Sequence, residues 1–570
     1  MRRGGKLCMR LLLVTEKFKP RPDQCDGGAR LVQALRGSFG PILDVAQFDD
    51  GQENNQPAPV FRFTYPNANT NRFTRRIANA AFIASQVRTL LPSYTHVIFA
   101  HISMQFGFAD APLKDVIVWT FPMFLTPSYA ASGEIVPPEY TRLERDSLAG
   151  TGRILTPSYF EKLQLTRYYG LPDERIRVVP RGVSKFPPTL SKRPSLDTPR
   201  FCSVGSIKRQ KNTLGLIRLF HKIRIRYPKA TLLVIGPVQD ASYAADVLGE
   251  VEALGLGSAV KFTGPVVHAQ LASVVAESHI HLSTSRCETF GRAIFETLAL
   301  GLPNIVAAEA NAAFDFLHSV PYVRFFNDVD TALTDVDATL LDWTRLSELS
   351  REVADLYHDD HVTRRMAAEI VGADALVVSD FDGTLFHKND ADLTRRSIKA
   401  FQSYAHRIIC SARSFKQLDS AAVALGIDAD YLISWSGAML TNRTGQVLWS
   451  MPFSTAEIAE IQACFPVAEK VFEGREVMQF VLRDQVVSAP LGFRVEIYEG
   501  ASYIRPWRVS KLHSVLRLLR HLNWEGRVST FGDNQYDLEL LNYFSGIRIC
   551  REPSTTSILR ESREVTHAQA

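Results

Sequence analysis

Short apolar runs alternate with longer amphipathic stretches along most of the chain. Arg10 to Val14, Ile42 to Val45, His96 to Ala100, Val116 to Phe121, Arg153 to Leu155 and Ile176 to Val179 have the length of buried strands, and helical patterns separate them. Strands alternating with helices form βαβ units, which build a parallel sheet covered on both faces. Between Pro187 and Pro199 the sequence Pro-Pro-Thr-Leu-Ser-Lys-Arg-Pro-Ser-Leu-Asp-Thr-Pro breaks the periodicity and reads as a hinge. Alternation then resumes with Phe201 to Val204, Thr231 to Ile235, Val260 to Thr263, His279 to Leu282, Asn304 to Val306 and Val323 to Phe326. Two Rossmann-like domains in tandem are therefore expected, with a ligand in the cleft between them. A charged amphipathic helix from Thr344 to Ile370 closes the second.

A third α/β unit starts at the apolar run Ala375 to Val378, which delivers Asp380 and Asp382 to its carboxyl end. Open α/β sheets bind ligands there. Two carboxylates two residues apart repel each other, and a hard cation with oxygen ligands, such as Mg²⁺, relieves the repulsion and can also grip a phosphate. The alternative is a strand ending in an ordinary Asp-Gly turn. Three further pieces lie downstream: Ile408-Ile-Cys-Ser-Ala-Arg413 ends in a hydroxyl at Ser411, Lys511 follows in Val509-Ser-Lys-Leu, and the strand from Val528 ends in Asp533 and Asp537.

These residues in this order resemble the haloacid dehalogenase superfamily, closest to its sugar-phosphatase branch. The resemblance implies that Asp380 is a nucleophile that forms an aspartyl-phosphate and that Asp382 is the general acid and base. Ser411 and Lys511 would hold the transferred phosphoryl group. Asp380, Asp382, Asp533 and Asp537 would make the Mg²⁺ site. Ser434-Trp-Ser-Gly-Ala438 resembles the turn before the cap in this branch, with Ser436 where Asn is more usual. The cap would be a compact α+β unit from Met439 to Arg508 that chooses the substrate.

In the second domain, Arg286-Cys-Glu-Thr-Phe-Gly-Arg-Ala-Ile-Phe-Glu-Thr-Leu-Ala-Leu-Gly-Leu-Pro303 places Glu288 where a strand yields to a helix and Glu296 two turns along that helix. Two solvated helix acids would explain the spacing without a ligand, but not the Gly and Pro that follow. The pattern resembles the retaining GT-B glycosyltransferases of family four, the group that contains sucrose-phosphate synthase. The resemblance implies that Glu288 contacts the hydroxyls of the donor sugar and Glu296 the ribose of the nucleotide. A carboxylate suits either task because its paired oxygens accept from vicinal hydroxyls.

Ser206-Ile-Lys-Arg-Gln-Lys-Asn212 is similar to the phosphate-binding turn of that family, with Lys211 on the donor diphosphate. Where Ser206 stands the family usually has Arg, so Arg209 or Lys208 is expected to supply the charge. Arg175-Ile-Arg-Val-Val-Pro-Arg-Gly-Val183 resembles the segment that ends the first domain, and Ser158 fits its turn. Trp119-Thr-Phe-Pro122 has Pro122 where many members have His. Gly27 and Gly28 precede a helix from Arg30 and would let the backbone approach an anion, although a plain turn serves equally well.

Composition narrows the classes. A chain of 570 residues exceeds one core, and 46% hydrophobic with 22% charged residues is ordinary for globular proteins. The net charge of +5 with no block of like charges does not imply nucleic acid. Seven scattered cysteines (Cys8, Cys25, Cys202, Cys287, Cys410, Cys464, Cys550) without a CxxC pair argue against disulfides and a zinc ribbon and for a reducing, cytoplasmic compartment. Leu11 to Val14 is too short for a signal segment, and no apolar run reaches a membrane span. The basic amphipathic stretch 71–91 could lie on an anionic membrane, but the favoured reading is a packed helix with a solvated basic face, because its apolar stripe is needed to cover the sheet.

The expected organisation is a GT-B acceptor domain (1–186), a GT-B nucleotide-sugar domain (187–371), a phosphatase core (372–438 and 509–570) and its cap (439–508). A UDP- or GDP-sugar would be the donor, a small sugar phosphate the acceptor, and Mg²⁺ the cofactor of the phosphatase. The economical reading is transfer followed by dephosphorylation of the product. The rivals are a phosphatase half acting on an unrelated phosphate, or one that only binds a phosphosugar and regulates the transferase.

Overall fold

The computed structural model describes residues 9–16, 27–49, 61–67, 71–109, 113–184, 186 and 195–549. It divides into two compact units, Met1–Ile370 and Val371–Glu564. The break falls one residue from the expected end of the second domain.

The first unit holds two parallel sheets. In the seven-stranded one, Leu11–Thr15 lies between Leu43–Asp49 and His96–Phe99, in a register that sets Leu13 against Val45 and Ile98. Phe61–Thr64 extends it at one edge, a strand the apolar pattern did not announce, and Ile117–Thr120, Arg153–Thr156 and Ile176–Val178 extend it at the other. The six-stranded sheet runs Val260–Phe262, Thr231–Ile235, Arg200–Val204, Ile280–Ser283, Asn304–Ala307, Val323–Phe326. Part of the expected hinge, 187–194, lies outside the described residues.

Two helical expectations need correction. The stretch 71–91 is not one helix: Arg72–Ala78 and Ala80–Leu90 meet at Asn79, whose side-chain amide donates to Asn67 O at 2.8 Å and Arg75 O at 2.9 Å. Nor is its basic side simply solvated, because buried Arg76 donates to both oxygens of Glu16, at 3.0 and 2.9 Å. The stretch expected as one helix from Thr344 is three, Trp343–Ser350, Glu352–Leu356 and Asp359–Val371. The last returns to the first sheet, where Arg365 donates to Val178 O and the Trp119 indole to Ile370 O.

The second unit has a seven-stranded mixed sheet and a separate four-stranded antiparallel one. In the larger, Ala375–Ser379 is central, parallel to His406–Cys410 and to Arg527–Gly532. The cap is smaller than expected. Met439–Asn442 and Val447–Ser450 pair antiparallel onto Tyr431–Ser434 and so extend the core sheet. The distinct sheet, Glu469–Glu473, Glu476–Leu482, Ala501–Pro506 and Phe493–Tyr498, packs against the helix Thr455–Cys464. Among the described residues, no helix is long and apolar enough to cross a membrane, and Cys202, Cys287, Cys410 and Cys464 are free thiols.

Candidate functional site

In the second unit the polar residues converge where the parallel strands end. Asp380 follows the central strand, and its N–H donates to Phe531 O at 2.9 Å. Lys511 opens the helix Lys511–His521, capped by Ser510. Its Nζ donates to Asp380 Oδ1 at 2.7 Å and to Asp537 Oδ1 at 2.6 Å, and all three side chains are buried. Asp533 is close behind: its N–H donates to Asp537 Oδ2 at 3.1 Å. Ligand oxygens of Asp380, Asp533 and Asp537 lie within 4.8 Å of one another.

Three carboxylates face one ammonium here. Burial pushes the Asp380 carboxyl upward; Lys511 pulls it down, and Asp537 adds to the rise. Burial opposes the charge on Lys511, but Asp380 and Asp537 hold its ammonium well above the ordinary range. The residual negative charge, with oxygen donors this close, fits a hard divalent cation such as Mg²⁺.

Asp382 stands apart from the expected metal set. Arg413 grips it bidentately, Nε to Oδ2 at 2.7 Å and Nη2 to Oδ1 at 2.6 Å, and among the described residues its carboxylate is not one of the three that cluster. Ser411 is buried at the end of its strand, with its N–H on Ile433 O at 2.8 Å. The turn Trp435-Ser-Gly437 follows, with φ of 54°, 51° and 116°. Two left-handed non-glycine residues in succession are strained. Gly437 is required, because a Cβ there would stand 2.3 Å from Ser510 O.

In the first unit the turn Arg209–Lys211 is stapled to the Glu288 loop: Arg286 N donates to Gln210 O at 2.8 Å and Gln210 Nε2 to Cys287 O at 2.9 Å. This brings Lys211 Nζ to Glu288 Oε1 at 2.5 Å. Burial would raise the Glu288 carboxyl, but Lys211 lowers it. Lys208 shares this neighbourhood; burial, then Lys211, bring its ammonium down to about 8. Arg209 does not join them. It is half-exposed, lies over the Tyr243 ring and faces Asp240 at 3.7 Å.

Glu296 lies on the helix Arg292–Ala299, which begins after Gly291 at φ 81°. Its Oε1 accepts from Arg30 Nη1 at 2.7 Å and contacts His268 Nε2 at 3.1 Å. Burial favours the neutral acid, but the His268 bond and the Arg30 guanidinium bring it down to about 2. Gly27 and Gly28 open the helix Gly27–Phe39, while residues 17–26 of the same loop lie outside the described residues. Ser158 caps the helix Tyr159–Leu163, accepting from Glu161 N at 3.2 Å.

Residues 191–317 match the family model described as glycosyl transferases group 1, and residues 377–472 match that of haloacid dehalogenase-like hydrolase. The chain joins a group 1 glycosyltransferase segment to a haloacid dehalogenase-like hydrolase segment. Both are enzyme families. Curated relatives include the D-inositol 3-phosphate glycosyltransferases of Rhodococcus opacus (strain B4), 30% identical over 178 residues, and Acidothermus cellulolyticus, 29% identical over 178; each alignment covers 29% of this chain and 40% of the relative. The match thus spans well under half of those relatives. Sucrose-phosphate synthase from Thermosynechococcus elongatus superposes with TM-score 0.52 at 18% identity, over 63% of this chain and 97% of that one. WaaG, a glycosyltransferase involved in lipopolysaccharide biosynthesis, gives 0.51 at 14%, over 64% and 100%. These two likenesses show the GT-B fold of the glycosyltransferase part.

Sequence reasoning missed Arg413 in the hydrolase segment, and Arg30 and His268 around Glu296. Arg413 was visible as the residue two after Ser411 on the same strand end. The Arg30 contact spans 266 positions and no local pattern announces it.

Proposed function

We propose that this chain is a two-step enzyme. Its first unit moves a sugar from a nucleotide-sugar donor to a phosphorylated small acceptor, with retention of the anomeric configuration. Its second unit hydrolyses the phosphate from the product. The observation that carries the reading is the buried array in which Lys511 bridges Asp380 and Asp537 with Asp533 adjacent, on a chain that also keeps Glu288 against Lys211. The name of the curated relatives, D-inositol 3-phosphate glycosyltransferase, specifies a phosphorylated acceptor and favours one here.

In the transferase, Glu288 accepts from donor-sugar hydroxyls and Glu296 from the ribose, while Lys211 and Lys208 meet the charge of the departing diphosphate. In the hydrolase, an Asp380 oxygen attacks phosphorus as the bond to the sugar oxygen breaks. Asp382, released from Arg413 and protonated from solvent, gives that proton to the leaving sugar oxygen. Water then attacks the phosphorus of the aspartyl-phosphate and yields its proton to Asp382, which releases inorganic phosphate and restores Asp380. Ser411 and Lys511 hold the phosphoryl oxygens through both steps. A Mg²⁺ ion on Asp380, Asp533 and Asp537 would neutralise charge on the phosphoryl group.

The test is incubation with panels of nucleotide sugars and sugar phosphates, followed by mass spectrometry. The wild type is expected to accumulate an unphosphorylated glycoside and Asp380→Asn the phosphorylated one. The same product from both proteins, or loss of phosphate from the acceptor before transfer, contradicts the coupled reading.

A further inference from the structure

The cap sheet has two unlike faces. Phe480, Leu482, Val495 and Ile504 join Phe453 and Ile461 in an apolar cluster under the cap helix. Side chains alternate along strands, so Glu496 and Arg505, next to Val495 and Ile504, belong to the opposite face. Phe480 opposes Ile504 in the antiparallel register, which brings Gln479 beside Arg505 on that same face.

Arg505 is only 2% exposed. Its Nη2 pairs with Glu496 Oε1, whereas its Nε and Nη1 are buried without a hydrogen-bond partner among the described residues. Glu496 Oε2 accepts from Ser436 Oγ at 3.2 Å, and Ser436 N–H donates to Ser411 O at 2.8 Å. A short path of contacts thus leads from the phosphoryl-holding Ser411 to the cap pair. Gln479 is also buried.

An ion pair that only braced the cap would have no need of unmet donors, which are costly when buried. Glu496 compensates the charge of the guanidinium, so a second anion would meet a neutral pair and repulsion from a carboxylate. What the pair still offers is hydrogen bonding: N–H donors on Arg505 and acceptor lone pairs on Glu496. A sugar hydroxyl both donates and accepts, so neighbouring hydroxyls can satisfy the two together.

We propose that Arg505 and Glu496, with Gln479 beside them, are specificity-determining residues. They read the hydroxyls of an uncharged leaving group and reject phosphate esters whose leaving group carries another anionic charge. This inference rests on the phosphatase reading above and adds the class of leaving group to it.

The experiment measures kcat/KM of the full chain with Mg²⁺ on glucose 6-phosphate, trehalose 6-phosphate, sucrose 6-phosphate, 6-phosphogluconate and p-nitrophenyl phosphate. The wild type should favour the best uncharged sugar phosphate over 6-phosphogluconate by about 100-fold, a ratio of the size that hydrogen-bonded recognition of hydroxyls sustains. Glu496→Gln, which keeps the shape but exposes the guanidinium charge, should cut that preference about tenfold by improving 6-phosphogluconate. Arg505→Met should lower the ratio of sugar phosphate to p-nitrophenyl phosphate about tenfold or more, mainly through KM. Arg505→Lys, which retains charge with fewer donors, takes its place if the Met variant does not fold. A wild type that prefers 6-phosphogluconate, or variants that change every substrate by one factor or none, overturns the inference. A wild type that hydrolyses no compound of the set overturns the phosphatase reading itself.

Discussion

Lys211 and Lys511 are each the cation of a polar cluster at a sheet's end, yet the two clusters balance in opposite senses. Lys211 meets one carboxylate, Glu288, with Lys208 close by. Lys511 meets Asp380 and Asp537, with Asp533 behind them. The first cluster has positive charge to offer, as the proposed contact with the diphosphate of a departing nucleotide requires, without any metal. The second has negative charge to shed, and a phosphate monoester cannot approach three carboxylates until a cation balances them. Under the proposed function the same pairing of lysine and carboxylate would serve opposite ends, with the count of carboxylates deciding which.

Chelation should break the symmetry most sharply. Removing divalent cations with EDTA is expected to lower phosphate release by about 10³-fold or more, the equivalent of several kcal/mol of lost charge neutralisation. Nucleotide release from the donor should continue at nearly its former rate. If the transferase stops as well, the contrast drawn between the two lysines is wrong.

Acid should separate the units next. His281 is buried in the transferase between Val204 N, which donates to Nε2 at 3.2 Å, and the Asn304 side chain. Burial lowers its imidazolium from 6.5 to about 4. The unfolded chain thus takes up this proton first, so the stabilising contribution is full above pH 6.5 and is lost as pH falls to about 4. The difference of about 2.5 pH units, at about 1.36 kcal/mol each, bounds the loss at about 3 kcal/mol. His101, lowered to about 3 by burial and then Arg76, acts with the same sign. Glu296 adds a loss between 4.5 and about 2, because its folded value is depressed. Scanning calorimetry from pH 7.5 to 4.5 should show the transferase transition falling, and His281→Gln should flatten that fall. A variant with an unaltered pH profile would remove His281 from the explanation.

Within the transferase, Glu288→Ala and Glu296→Ala should each weaken donor binding by about 1–3 kcal/mol, the usual consequence of removing one partner of a buried hydrogen bond. Titration with a free nucleoside diphosphate separates their roles. Glu296→Ala should weaken it far more than Glu288→Ala, because only the ribose contact survives in the absence of the sugar. Equal weakening would count against both assignments.

The features legible in the sequence were those with local periodicity. Asp380 and Asp382 stand two apart after an apolar run, and Glu288 precedes the helix Arg292–Ala299 that carries Glu296, so the change from strand to helix periodicity alone places them at sheet ends. The alternation of short apolar runs also foretold both parallel sheets of the first unit. What escaped was set by packing between distant segments. Arg413 takes the Asp382 carboxylate from 31 positions away, and Arg30 reaches Glu296 across 266. The hairpin Met439–Ser450 reads like the start of a cap but finds its pairing partner in the core sheet. The break at Asn79 depends on the partner Asn67, which lies outside the helical repeat.

The smallest expected effect concerns Arg30. Lys511 is locked between two buried carboxylates, but Arg30 is partly exposed and holds Glu296 through one oxygen, at 2.7 Å. A ribose that hydrogen-bonds to Glu296 must share that carboxylate with the guanidinium. Removing Arg30 therefore takes away a competitor, whereas removing Lys511 would strand buried charge. Arg30→Gln is expected to tighten binding of a free nucleoside diphosphate by about threefold, or roughly 0.6 kcal/mol, within the range of a partly exposed ion pair. Glu296→Gln should abolish the difference, since the contest is for that side chain. If Arg30→Gln instead weakens the nucleotide, Arg30 is itself a contact to the ligand, and the two lysine-centred sites are more alike than their carboxylate counts suggest.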